Sequence, residues 1–316
     1  MNLTSDRRHA PRTKTTWKKA FSRDWHLYLM LAVPVILVFT FNYAAYPGLR
    51  MVLLDYSVIN KYAGSPFVGF GTFRKIFEDA SFHRALKNSL IFNLLDLAVG
   101  FPVPIILALM LNELRLVKFK KVSQTILYLP HFLSWVIIGS LAYQLFKPSS
   151  GVVNVVLVKA GLIDKGIEFL TEPNKWAVSY LMIGVWQGMG WGSILYLAAI
   201  TGISGELYEA AMIDGANRLQ RIWHVTLPGI RSTIVILLIM NLGKIMGSNF
   251  ERLDTLGNTM VKVYQEQLAI YIYINGIKNN EYSMATAVGL FQSLVGLLLV
   301  LLSDRFAKAL GEDGLL

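Results

Sequence analysis

Residues 201–230 read TGISGELYEAAMIDGANRLQRIWHVTLPGI, a turn-marked stretch set between two long apolar runs. A link between two bilayer-crossing helices needs far fewer residues, so this segment predicts structure of its own. Ser204 is placed to cap a helix whose first turn carries Glu206. Leu207, Ala210, Ala211 and Ile213 give that helix an apolar side, and Gly215 breaks it. A second short helix is predicted from Asn217, with Leu219, Ile222 and Trp223 on one side and Arg218 and Arg221 on another. Pro228 then stands where the next span should open, a position at which its missing N–H costs nothing. The segment reads as a helix-turn-helix elbow at a membrane surface, either an interfacial anchor or a docking surface for a soluble partner.

The runs on either side decide the fold class. A bilayer-crossing helix takes about 20 mainly apolar residues, and such runs lie near 27–48, 88–112, 124–146, 176–199, 231–250 and 282–304. The fourth carries no charge from Trp176 to Gly205, whereas Asp96 and Lys244 interrupt the second and fifth and Asp304 closes the sixth. The 316 residues are 54% hydrophobic and 16% charged, against roughly 25% charged in soluble domains. The prediction is an all-α polytopic membrane protein with six spans: a transmembrane domain over 27–306 between tails at 1–26 and 307–316. The chain has no cysteine, which excludes a disulfide framework, a thiolate zinc site, an Fe–S cluster and a cysteine nucleophile. Its five histidines form no ligand-spaced pair, so no metal site is expected.

A net charge of +10 in a soluble protein would raise nucleic acid as a partner. Here it has a topogenic reading, and no nucleic acid is expected. Arg7, Arg8, Arg12, Lys14, Lys18, Lys19 and Arg23 all precede the first span and should hold the N-terminus in the cytoplasm. Because that span is too long for the apolar region of a cleavable signal, it reads as a retained anchor. Six spans put both termini on the cytoplasmic side. Counted from the ends of the runs, so that Arg305 is included, the residues before 27 and after 304 and the loops at 113–123 and 200–231 then hold 16 basic residues, against 13 in the longer opposing loops at 49–87, 147–175 and 251–281. Arg115, Lys118, Lys120 and Lys121 crowd one short loop and mark it as cytoplasmic. The outward loops read as short ordered caps. In the sixth run Ala285, Gly289 and Ser293, with Gly296 on a neighbouring line, predict a face for close helix packing.

The elbow also carries a motif. Glu209, Ala210, Ala211, Gly215, Leu227 and Pro228, with Val225 where Ile is more usual, resemble the Glu-Ala-Ala loop of the inner-membrane permease subunits of binding-protein-dependent ABC importers. Gly69-Phe70-Gly71 and the stretch from Ser283 to Gly289 are similar to the carbohydrate branch, its polysaccharide and complex-oligosaccharide type, and within it to the larger permease of alginate importers. The resemblance implies the type I importer permease fold and a pore shared with a second permease subunit. It implies two ATPase subunits beneath, an extracytoplasmic substrate-binding protein above, and a bacterial inner membrane around the pore. Glu209, Ala210, Ala211, Asp214, Gly215, Leu227 and Pro228 would contact the ATPase. The chain has no G-x-x-x-x-G-K-[ST] phosphate loop, so ATP and Mg are expected on the partner ATPase subunits, no cofactor on this chain, and no enzymatic activity of its own.

Ionisable residues inside spans usually face a bundle interior or a watery cavity. Asn241, Lys244, Ser248 and Arg252 are spaced to share one face of a continuous fifth helix, a stripe suited to a carboxylate-bearing sugar. It is the one sign, apart from the resemblance, of an acidic ligand. Asp96 is either a further pathway residue or a structural partner of Lys244. Gln187 and Trp191, one turn apart, suit a sugar ring, whereas Trp176 and Trp186 read as interface or packing residues. Two other classes compete. An ion-driven secondary transporter predicts inverted repeats with broken helices at the midplane, and no paired Gly/Pro interruptions are visible. A non-transporting scaffold would have no use for a polar stripe inside a span.

Overall fold

The computed structural model describes residues 17–247, 249–311 and 314–315. Arg7, Arg8, Arg12, Lys14 and Ser248 lie outside the described residues. Among those described, the regular structure is helical, with one isolated bridge between Leu54 and Phe67. The chain forms two compact units, 1–50 and 51–316. In the first, the helix Trp17–Val38 continues into a π turn at Phe39–Tyr43. Leu31, Val35, Phe39 and Phe41 are exposed along it, as befits a helix whose solvent is lipid or another chain.

The second unit holds the segments of the other five predicted spans. Three are unbroken by any sharp bend, Ala80–Asn112, Pro173–Thr201 and Tyr282–Ala309. The second starts at Ala80, ahead of its predicted boundary, because the Asp79 carboxylate accepts from the Ser81 N–H at 2.8 Å and caps the helix. Inside it, Asp96–Gly100 is a π turn. Pro102 and Pro104 lack the N–H groups that residues 98 and 100 would need to stay in α register.

Two predicted spans are not continuous helices. The third comprises Val117–Phe132 and Trp135–Leu145, which meet at 103°; Pro130 weakens the ladder, and Ser134 caps the new helix by accepting from the Ile137 N–H at 3.4 Å. The fifth comprises Arg218–Gly229 and Arg231–Gly243, bent by 61° about Ile230. Pro228 therefore lies in the last turn of the elbow, and the span proper opens at Arg231. The turn before it relaxes to a π turn at Ile222–Thr226, since a proline ring crowds the carbonyl four residues back. The fifth span also stops at Gly243, short of the predicted residue 250.

The fourth span is the axis of packing. Trp176 is fully buried and its indole N–H donates to the Leu256 carbonyl at 2.7 Å, so it is a packing residue, while Trp186 is exposed. Phe92 meets Trp176 and Tyr180 edge-on, with centroids 5.8 and 5.6 Å away. Leu253 and Leu256, from a short helix at Phe250–Leu256, complete this core. The 147–175 loop is ordered: Asn154 is buried in it and donates to the Lys147 and Ile167 carbonyls at 3.0 Å each. On the sixth span Ala285 and Gly296 pack against Gly276 and Gly243, but Gly289 faces open space and Ser293 is exposed. The predicted packing face is therefore split.

Candidate functional site

A cavity of about 400 Å³ opens between the second, fourth and fifth spans, and Asp96, Asn241, Lys244 and Arg252 all line it. These four are brought together, but not as one helical face. The helix ends at Gly243 and Lys244 lies in the following turn. A new helix begins when the Asn249 side chain accepts from the Arg252 N–H at 3.0 Å. Arg252 thus comes from a separate element folded back against the bundle.

Its surroundings explain why it stays there. Arg252 is 6% exposed, and its guanidinium donates to both Asp96 carboxylate oxygens, at 2.7 and 3.3 Å, and to the Tyr180 carbonyl at 2.5 Å. The cation also lies 3.7 Å from the Tyr180 ring centroid and 5.7 Å from that of Trp135. Gly184 makes room for it, since a Cβ there would collide with the guanidinium. Asp96 pairs with Arg252, not with Lys244 as the structural alternative for Asp96 would have it. Lys244 is exposed to the cavity and has no ion pair among the described residues. With Arg252 neutralised by Asp96, Lys244 is, among the described residues, the uncompensated charge of this wall.

Asn241 is exposed at the cavity and donates to the Leu237 carbonyl at 2.7 Å. Gln187 and Trp191 do not line the cavity. The Trp191 indole stacks on His131 with centroids 4.6 Å apart and planes 6° from parallel, and Phe132 meets it edge-on at 5.7 Å. Asn93 and Tyr196 line the cavity and escaped the sequence reading. Neither is charged, and nothing in the one-dimensional pattern singles out a lone Asn or Tyr in an apolar run. Gly184, Gly188 and Gly192, spaced by four on the fourth span, also line it and are legible as a small-residue stripe.

The two short helices of the elbow and the turn between them form as the sequence predicts. Ser204 accepts from the Glu206 N–H at 3.3 Å, and the helix Gly205–Ile213 follows. Gly215 turns the chain with φ +79°, a left-handed conformation costly for other residues. Asn217 and Gln220 form a reciprocal capping box, with bonds of 3.0 and 2.7 Å. The Tyr208 hydroxyl lies 3.1 Å from that of Thr226, tying the two arms together. Glu209, Ala210, Asp214 and Gly215 are exposed, Ala211 is half-buried, and Leu227 packs into the core beside Ile230. Ile213, Leu219 and Trp223 present large apolar side chains outward, Ile213 at 86% exposure.

Residues 80–312 match the family of binding-protein-dependent transport system inner membrane components, and the chain belongs to that family. It is 41% identical over 290 residues to the polygalacturonan/rhamnogalacturonan transport system permease protein YteP of Bacillus subtilis strain 168, covering 92% of this chain and 90% of that one. A chain of the bacterial alginate ABC transporter, solved in complex with its alginate pentasaccharide-bound periplasmic protein, is 38% identical with a TM-score of 0.83, covering 95% of this chain and 99% of that one. A second structure, of a bacterial ABC transporter involved in the import of the acidic polysaccharide alginate, gives 39% identity and a TM-score of 0.82 over 92% of this chain and 98% of that one. The protein is an inner-membrane permease subunit with the type I ABC importer permease fold.

Proposed function

We propose that this chain is one of two different permease subunits that together enclose the translocation path of an ATP-driven carbohydrate importer, and that its ligand is an acidic oligo- or polysaccharide handed over by an extracytoplasmic binding protein. The observation that carries the acidic ligand is the unpaired Lys244 ammonium facing a cavity whose other cation, Arg252, is already matched by Asp96. A carboxylate entering this cavity finds in Lys244 a cation with no ion pair among the described residues, to which it can make a charge-assisted hydrogen bond. Asn241 and Tyr196 add groups that can bond sugar hydroxyls. The similarity to permeases named for polygalacturonan and alginate supports the same ligand chemistry.

Energy comes from two ATPase subunits that carry ATP and Mg. The exposed face of the elbow, Glu209, Ala210, Ala211, Asp214 and Gly215 with its apolar neighbours, is the surface they grip. Closure of the ATPase dimer would pass through the elbow and the bend at Ile230 into the fifth span.

The test reconstitutes this chain with its partner permease, ATPase and binding protein in liposomes and measures ATP hydrolysis with alginate, polygalacturonate and neutral oligosaccharides. Stimulation by the acidic sugars that requires the binding protein is expected. Lys244→Ala should lower that stimulation about tenfold, the value of one charge-assisted contact, and the neutral response far less. Stimulation by neutral sugars alone, or equal losses for both, overturns the acidic assignment. Absence of any ATPase association overturns the coupling reading.

A further inference from the structure

After Gly243 the chain leaves the helix, and Lys244–Gly247 form a short strap of turns. Its N–H groups reach backward: Lys244 to the Asn241 carbonyl at 3.0 Å, Ile245 to Leu242 at 3.2 Å, Gly247 to Lys244 at 2.8 Å. Two adjacent carbonyls are taken by side chains instead. The Asn93 amide, from the second span, donates to the Ile245 carbonyl at 2.7 Å. The Gln292 amide, from the sixth span, donates to the Met246 carbonyl, also at 2.7 Å. Ile245 and Met246 are buried, and these two amides are the side-chain partners of their carbonyls among the described residues. Irregular backbone at membrane depth persists only where protein or a lined cavity satisfies it.

The strap also bounds two spaces. Lys244 and Ile245 line the 400 Å³ cavity, whereas Gly247 and Gln292 line a second one of about 370 Å³. Lys244 directly precedes the first clamped carbonyl, so the Asn93 clamp holds the backbone one residue from the side chain that lines the cavity. Both clamps are neutral amides. They hold the strap without adding a second cation beside Lys244 or a carboxylate that would neutralise it.

We propose that Asn93 and Gln292 are positioning residues that aim Lys244 into the cavity and so set the preference for anionic over neutral sugars. The second half of this inference rests on the acidic-carbohydrate reading above; the first half does not. Because the chain has no cysteine, Lys244→Cys provides a single thiol whose reaction with a negatively charged methanethiosulfonate reports how that position faces water. The reaction is followed in the assembled complex by the mass of this chain. Asn93→Leu and Gln292→Met approximate the side-chain volume, remove the donated N–H and add no charge beside position 244. Each is expected to change the labelling rate at position 244 by about tenfold, the scale of one buried hydrogen bond. A separate single cysteine, Ala142→Cys in the core, should stay unreactive in both variants. In chains that retain Lys244, the anionic-to-neutral uptake ratio should fall by a similar factor.

Unchanged labelling at position 244 in both variants overturns the positioning role. Exposure of the cysteine at 142 overturns it too, because the amides would then hold the whole bundle and not the strap. Altered labelling at 244 with an unchanged uptake ratio supports the positioning role and overturns charge recognition by Lys244.

Discussion

Asp96, paired with Arg252, shows that a charge inside a span can be held by a structural partner. The guanidinium is buried against Tyr180 and Trp135, with Asp96 satisfying two of its donors and the Tyr180 carbonyl another. Taking one ion from such a pair leaves the other desolvated and uncompensated, which costs more than the pair was worth. Asp96→Ala should therefore destabilise the complex by about 3 kcal/mol, seen as a lower midpoint of thermal aggregation in detergent. Replacing both residues by leucine should recover most of that loss. A double variant as unstable as the single one would mean that Arg252 is held by its aromatic neighbours and not by Asp96. Lys244 belongs to the opposite class: it is exposed, has no ion pair among the described residues and lies on a cavity wall.

At the scale of elements, the elbow owes its rigidity to local chemistry. A serine cap, a left-handed glycine, a capping box and the Tyr208–Thr226 contact fix two short helices that would be marginal alone. Its exposed apolar residues, Ile213, Leu219 and Trp223, are costly in water and make sense beneath a partner. Gly215→Pro should disturb the turn, because proline holds φ near −65° where the chain needs +79°. Glu209→Lys should reverse the charge of the exposed face while leaving the fold intact. In reconstituted vesicles both are expected to lower sugar uptake per ATP hydrolysed by about tenfold or more, the equivalent of one interface hot spot, with insertion unchanged. Normal coupling in both variants would remove the elbow from the transmission path.

At the scale of the molecule, the charge pattern predicts a topology that single cysteines can read directly, since the chain has none of its own. Ile59 is 90% exposed in the 49–87 loop, and Ile59→Cys should react with a membrane-impermeant thiol reagent added outside spheroplasts. Ile213→Cys in the elbow and Phe119→Cys in the basic loop at 113–123 should react only after permeabilisation. The reverse pattern would invert the positive-inside assignment. The many apolar side chains left exposed on the spans, among them Ile106, Met110, Leu195 and Leu298, leave surface enough for lipid and for a second permease.

Sequence alone determined the all-helical class, the number of apolar runs and the two capped helices of the elbow with the glycine turn between them. Those features rest on composition and on contacts between near neighbours: Ser204 with Glu206, Asn217 with Gln220, Gly215 with its own backbone. It also marked Asp96, Asn241, Lys244 and Arg252 as worth attention, because charges and amides stand out in apolar runs. Only the tertiary structure decided where the third and fifth spans bend, that the helix ends at Gly243, and that Arg252 turns to Asp96, 156 residues away. The reason is physical. Apolar periodicity reports which face of a helix is dry, but the end of a helix inside a bundle depends on whether another segment can satisfy the freed carbonyls. Here Asn93 and Gln292 do so from two other spans.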